Sequence, residues 1–147
     1  MNIEPLLVSS RDQLLAALTL VFSSVDEYPG FDPERTYTPK EREPFDALSD
    51  RYLRAFESSL KFFRTWERVR EAAPSESFRD LLLHMEKLDF ISDTGIWLRL
   101  RDVRNRIAHE YLPGELEKIY LMMTGLANQE MRRLAEKVLE KTTVPER

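Results

Sequence analysis

The sequence predicts an all-α protein, an up-and-down bundle of four long helices plus a short one. Three observations carry that prediction. Apolar residues recur every three or four positions along most of the chain, prolines and glycines fall between the periodic stretches, and no run alternates as a strand would. With 147 residues and 42 % hydrophobic side chains, the chain is long and apolar enough for one core, so residues 1–147 read as a single domain.

The first helix is expected to open on a capping box, with Gln13 three residues after Ser10. Leu14, Leu15, Leu18, Val21, Phe22 and Val25 follow at helical spacing, and Pro29-Gly30 ends it. Residues 29–44 hold four prolines and no apolar period, which predicts a Pro-rich loop. Pro44 suits the first turn of the second helix, where Phe45, Leu48, Tyr52, Phe56, Leu60, Phe63 and Trp66 form one apolar stripe. Arg54, Lys61 and Arg68 lie on its opposite face.

Beyond Pro74, a third helix buries Phe78, Leu81, Leu82, Met85 and Leu88. The fourth, capped by Asp93 or Thr94, turns Ile96, Leu100, Val103 and Ile107 inward with Trp97 beside them, and is stopped by Pro113-Gly114. The last runs from about Glu115 to Lys141, with Leu116, Ile119, Tyr120, Met123, Leu126, Met131, Leu134 and Val138 inward.

Composition removes several classes of function. The chain has no cysteine, so disulfides, thiol nucleophiles and cysteine-ligated metals are excluded. Two histidines make a conventional zinc site improbable, and the scattered glycines form no phosphate loop, so neither metal nor cofactor is expected. No segment reads as the ~20 apolar residues that span a bilayer, and the N-terminal stretch lacks the basic start of a signal peptide. The expected location is the cytoplasm, without membrane contact. The net charge of −4 disfavours a nucleic-acid binder, yet charge is unevenly spread. Residues 1–50 carry ten acids against four bases, whereas residues 99–106 carry four arginines against Asp102 alone. Such a local cluster suits phosphate.

Within that cluster, Arg104 projects to the edge of the apolar face, where a guanidinium needs a partner or an anion. His109 falls nearly opposite the apolar residues, and Asn105 lies between the two in projection. On the residues alone, His109 is either a surface histidine favoured by a helix C-terminus or an acid–base group. His84, between Leu83 and Met85, reads as a boundary residue. Arg104 and His109 would diverge by ~140° on a continuous helix. They converge only if the helix ends near Ala108 or if two chains meet.

The run Arg104-Asn105-Arg106-Ile107-Ala108-His109-Glu110-Tyr111 closely resembles the signature of the HepT toxins within the HEPN superfamily: arginine, four residues, histidine, one residue, tyrosine. The placement of the motif late in the chain, with one long helix after it, and the long second helix from Asp50 onward are also similar to that family. The resemblance implies a HEPN-like fold and metal-independent endoribonuclease activity. Arg104 and His109 would be catalytic and Asn105 supporting; from the arginine cluster itself, Arg101 and Arg106 are the candidate RNA contacts. It also implies a homodimer with the motif at its interface. The partner would be an antitoxin of the MNT nucleotidyltransferase type that attaches AMP to Tyr111, putting bulk and negative charge into the RNA cleft. The residue types suit this chemistry. An imidazole can move a proton at a ribose 2′-OH or a departing 5′-oxygen, and a guanidinium can hold a pentavalent phosphorane, leaving a 2′,3′-cyclic phosphate. A second class stands beside it: a non-catalytic substrate-binding or partner module of a minimal nucleotidyltransferase, which the acidic net charge favours.

Overall fold

The computed structural model describes residues 4–71 and 73–143, so both ends of the expected 1–147 domain lie outside the described residues. It is an all-helical bundle: α1 (Pro5–Asp26), α2 (Pro39–Arg70), α3 (Phe78–Lys87), α4 (Thr94–Ile107), α5 (Pro113–Met122) and α6 (Asn128–Thr142). A π-helical turn, Met123–Ala127, joins α5 to α6, so the bundle has five rods. The long antiparallel neighbours α1 and α2 pack along each other, and α6 lies against α1. The shorter α4 is wedged among α2, α3 and α5.

The helix starts differ from the sequence expectation in two places. α1 begins at Pro5, whose fixed φ is already helical in the first turn. Ser10 therefore lies inside the helix, buried and without a hydrogen bond, and no capping box forms at 10–13. Leu7 extends the inward row of Leu14, Leu18 and Val21 upstream of the expected start. α2 begins at Pro39 rather than Pro44. Thr38 and Glu41 make the reciprocal capping box, with Glu41 N–H 3.2 Å from Thr38 Oγ1 and Thr38 N–H 3.0 Å from Glu41 Oε1. Pro44 then sits within the helix, where it forfeits one backbone bond; an interior proline costs about 3 kcal/mol or more.

The remaining connection is not bare loop. Phe31 and Tyr37 stack at 5.2 Å, and both meet Phe45 edge-on. Phe31 also meets Tyr120 at 5.1 Å, so the segment folds its aromatics onto the end of the core. Burial there, reinforced by neighbouring phenols, pushes the Tyr28 hydroxyl up to about 12.

α1 carries a correction on membrane-spanning length. Its 22 residues include an 18-residue window of mean hydropathy 1.3, enough to cross a bilayer by length and composition alone. In this fold its Leu7, Leu14, Leu18 and Val21 are spent on the core, while Leu6 and Leu20 are exposed.

The centre of the bundle is aromatic. Trp97 is fully buried, stacked on Phe56 at 6.1 Å and meeting Phe63 at 5.5 Å. Its indole N–H donates to Glu130 Oε1 at 3.2 Å, and Ser92 Oγ donates to the same carboxylate at 2.7 Å. Tyr52 donates to the Leu100 carbonyl at 2.6 Å and ties α2 to α4. The inward face of α4 is thus Trp97, Leu100 and Val103, with Ile96 and Ile107 only half buried, a rotation from the expected face. In the last rod, Thr124 Oγ1 donates to the Tyr120 carbonyl at 2.9 Å, competing with the helical ladder at the π turn. The extra residue there turns Ala127 inward in place of Leu126, which is half buried.

Candidate functional site

The motif occupies the last turn of α4 and the turn after it. α4 ends at Ile107, six residues before the proline expected to stop it. The His109 and Glu110 amides both bond the Arg106 carbonyl, at 3.1 and 3.0 Å. Pro113 instead opens α5 as its first residue and holds Leu112 extended. Glu110 pins the turn, accepting the Leu112 amide at 3.2 Å and pairing with Arg106 at 3.2 Å.

The helix proper thus stops before His109, although Ala108 keeps helical dihedrals, and among the described residues no hydrogen bond, ion pair or cleft brings Arg104 and His109 together within one chain. Arg104 stands seven residues after Trp97, about 20° from it in projection, and so points toward α2 at the end of the core-facing row. There Arg104 Nη2 meets Glu57 Oε1 at 2.5 Å, while Nη1 donates to Asn105 Oδ1 at 3.1 Å. Both members of the Arg104–Glu57 pair are about half exposed, so part of the guanidinium stays in solvent although both of its terminal nitrogens are engaged. His109 is exposed, and among the described residues its ring makes no hydrogen bond or ion pair. Tyr111 is 82 % exposed and Leu112 65 %, which makes this turn the most prominent apolar projection of the described surface.

The other two candidate arginines have partners. Arg106 bonds Glu115 Oε2 at 2.8 Å as well as Glu110, and these bonds raise its already high pKa. Arg101 lays its guanidinium 4.5 Å over the Phe78 ring. Arg99, not singled out from the sequence, touches only Met122 Sδ at 3.9 Å. It lines a cleft of about 230 Å³ between α4 and α5 with Asp102, Arg106 and Lys118. Glu57 was also missed. The signal for it was the charged exposed position on α2 beside the aromatic stripe, which sequence alone does not pair with Arg104.

His84 is a boundary residue as expected, with an unexpected set of partners. Its Nδ1 lies 2.6 Å from Glu67 Oε2, and Glu67 is only 1 % exposed. Ser75 donates to that carboxylate from its hydroxyl at 2.5 Å and from its amide at 3.0 Å. Burial drives the Glu67 carboxyl upward, but the bonds from His84 and Ser75 outweigh it and hold it below its usual range. Among the described residues no group of three histidine, aspartate or glutamate side chains is arranged to hold a metal ion.

Fold and site together define an all-helical bundle that presents an arginine, a histidine and a tyrosine at the exposed end of one short helix. No protein-family model and no curated protein matches the sequence.

Proposed function

We propose that the chain is a metal-independent endoribonuclease of the HEPN type, the toxin of a toxin–antitoxin pair. The observation that supports this most is the end of α4 at Ile107, which leaves a half-exposed Arg104 and an exposed His109 on adjoining turns. His109 takes the proton of a ribose 2′-OH or returns one to the departing 5′-oxygen. Arg104, held by Glu57 and Asn105, offers the phosphorane the N–H groups that those bonds leave over. A homodimer that brings two motif turns together supplies one acid and one base from different chains, and the exposed Leu112 suits burial there while Tyr111 stays at the rim.

Regulation by an MNT-type nucleotidyltransferase goes with this reading. The Tyr111 oxygen attacks the α-phosphorus of ATP, pyrophosphate leaves, and the attached AMP blocks RNA two residues from His109. Tyr111 is exposed enough to be reached. RNA as substrate and a cytoplasmic location belong to the same proposal.

The reading is tested by incubating purified protein, free of partner, with total RNA. Cleavage with 2′,3′-cyclic phosphate ends that persists in EDTA supports it. Undiminished cleavage by folded His109→Ala overturns the mechanism. The second reading, a non-catalytic partner module of a minimal nucleotidyltransferase, draws on one observation: Arg101 and Arg106 are engaged within the chain. It takes over if wild type is folded, dimeric and inert on RNA.

A further inference from the structure

One row of polar side chains on α2 is unspent. Arg42, Asp46 and Ser49 fall at i, i+4 and i+7, so they stand above one another on a single helix face. Among the described residues, none of these three side chains makes a hydrogen bond or an ion pair. Most other surface cations of this end are taken: Arg35 by Glu41, Arg104 by Glu57, and Arg106 by Glu110 and Glu115.

The row forms one wall of a cleft of about 250 Å³. Ile107, Leu116 and Ile119 give it an apolar lining, and the Tyr111 and Tyr120 side chains border it. Glu110 is there too, already committed to Arg106 and the Leu112 amide. The Tyr120 phenol is raised by burial, pulled back by Arg42 and pushed up again by Asp46, so both charges act on its hydroxyl. Neither Arg104 nor His109 lines this cleft.

The chemistry narrows the ligand. An uncommitted guanidinium calls for an anion, and phosphate is its best match. A bare anion would also meet the Asp46 carboxylate, which repels it. A ligand that carries hydroxyls beside its anion turns that carboxylate into an acceptor, as carboxylates do for ribose. The apolar lining and the Tyr111 ring add a surface for a flat aromatic group. At about 250 Å³ the cleft is slightly smaller than a usual ligand pocket, so it seats part of one small ligand and leaves the rest in solvent, and it is too small for a strand. We propose that this cleft binds a nucleoside monophosphate, with the phosphate on Arg42, ribose hydroxyls donating to Asp46 and Ser49, and the base against Ile107, Leu116 and Tyr111. The site stands whether or not the chain cleaves RNA.

The test is isothermal titration of the full chain with AMP, adenosine and inorganic phosphate as separate probes. AMP is expected to saturate, and to bind at least about tenfold more tightly than either fragment. Arg42→Ala is expected to weaken AMP by about tenfold or more, with Arg42→Lys in between, and to leave adenosine unchanged. Asp46→Asn is expected to narrow the preference for AMP over its 2′,3′-dideoxy form. Because neither Arg42 nor Asp46 makes a side-chain hydrogen bond or ion pair, Arg42→Ala and Asp46→Asn should keep the wild-type Tm, which identifies a binding effect as local. His109→Ala should bind AMP normally, which separates this site from the ribonuclease proposal. The proposal is overturned by an absence of saturable AMP binding, by phosphate binding as tightly as AMP, or by a folded Arg42→Ala protein that binds AMP as wild type does.

Discussion

The two histidines, His84 and His109, sit in opposite surroundings. His84 lies between α2 and α3 with its Nδ1 on a carboxylate that is itself almost wholly buried, and that carboxylate also gathers Ser75. The bonds of this cluster hold the α2–α3 connection, and His84 Nε2 lies 4.0 Å from Glu71 Oε1. His109 lies on an exposed turn with neither ring nitrogen engaged. A histidine anchored on a buried carboxylate stabilises; one whose bonds are unmade is available to a substrate. The difference follows from where the backbone runs: α3 packs His84 against α2, whereas α4 ends before it can pack His109 against anything.

The sharpest way to break this comparison is to exchange the roles experimentally. His109→Ala should lower RNA cleavage by roughly 10²–10⁴ while leaving the thermal midpoint unchanged, as read by cleavage of total RNA beside circular dichroism. His84→Ala should do the reverse. A His84→Ala protein that is stable and inert would show that the two sites had been assigned the wrong way round. Arg104→Ala should match His109→Ala, and Arg104→Lys should recover only part of the rate, because an ammonium lacks the forked donor.

Next in size is the buried carboxylate. Glu67→Ala leaves the part-buried Ser75 amide and His84 without their acceptor, which should cost about 1 kcal/mol in urea unfolding. The same group predicts a pH dependence. Its carboxyl is held below the unfolded value of about 4.3, so its contribution is fully present above that value and is lost as pH falls through the lower folded value. The acid limb of a stability–pH curve should therefore flatten in Glu67→Gln; an unchanged acid limb would remove Glu67 from that account.

The smallest effect should come from Glu57. Its pair with Arg104 is about half exposed on both sides, so Glu57→Gln should change stability by less than about 1 kcal/mol. If Glu57 orients Arg104 for phosphate, the same variant should lower kcat with little change in KM. A variant that instead binds RNA more tightly at unchanged kcat would make Glu57 a mere competitor for the guanidinium.

Periodicity alone carried the helical class, the inward positions Leu14, Leu18, Leu48, Phe56, Leu81, Leu134 and Val138, and the exposure of Arg54, Lys61 and Arg68. These are properties of spacing, and a 3.6-residue repeat states which face must leave water before any partner is known. Helix ends were less legible. Pro44 and Pro113 both looked like stops or starts, yet one lies inside α2 and the other opens α5, because a proline fixes only its own φ and its missing donor. The motif from Arg104 to Tyr111 was visible as a string, but its geometry was not. That Arg104 meets Glu57, that Arg101 lies on Phe78, and that Arg42, Asp46 and Ser49 face Tyr120 across a cleft all depend on contacts far apart in the chain. Local residue order determines which faces are apolar and which groups can ionise. Only the packing of α2 against α4 and α5 decides which of those groups are satisfied by one another and which are left for a ligand, because a charge is spent or free according to what lies within hydrogen-bonding reach.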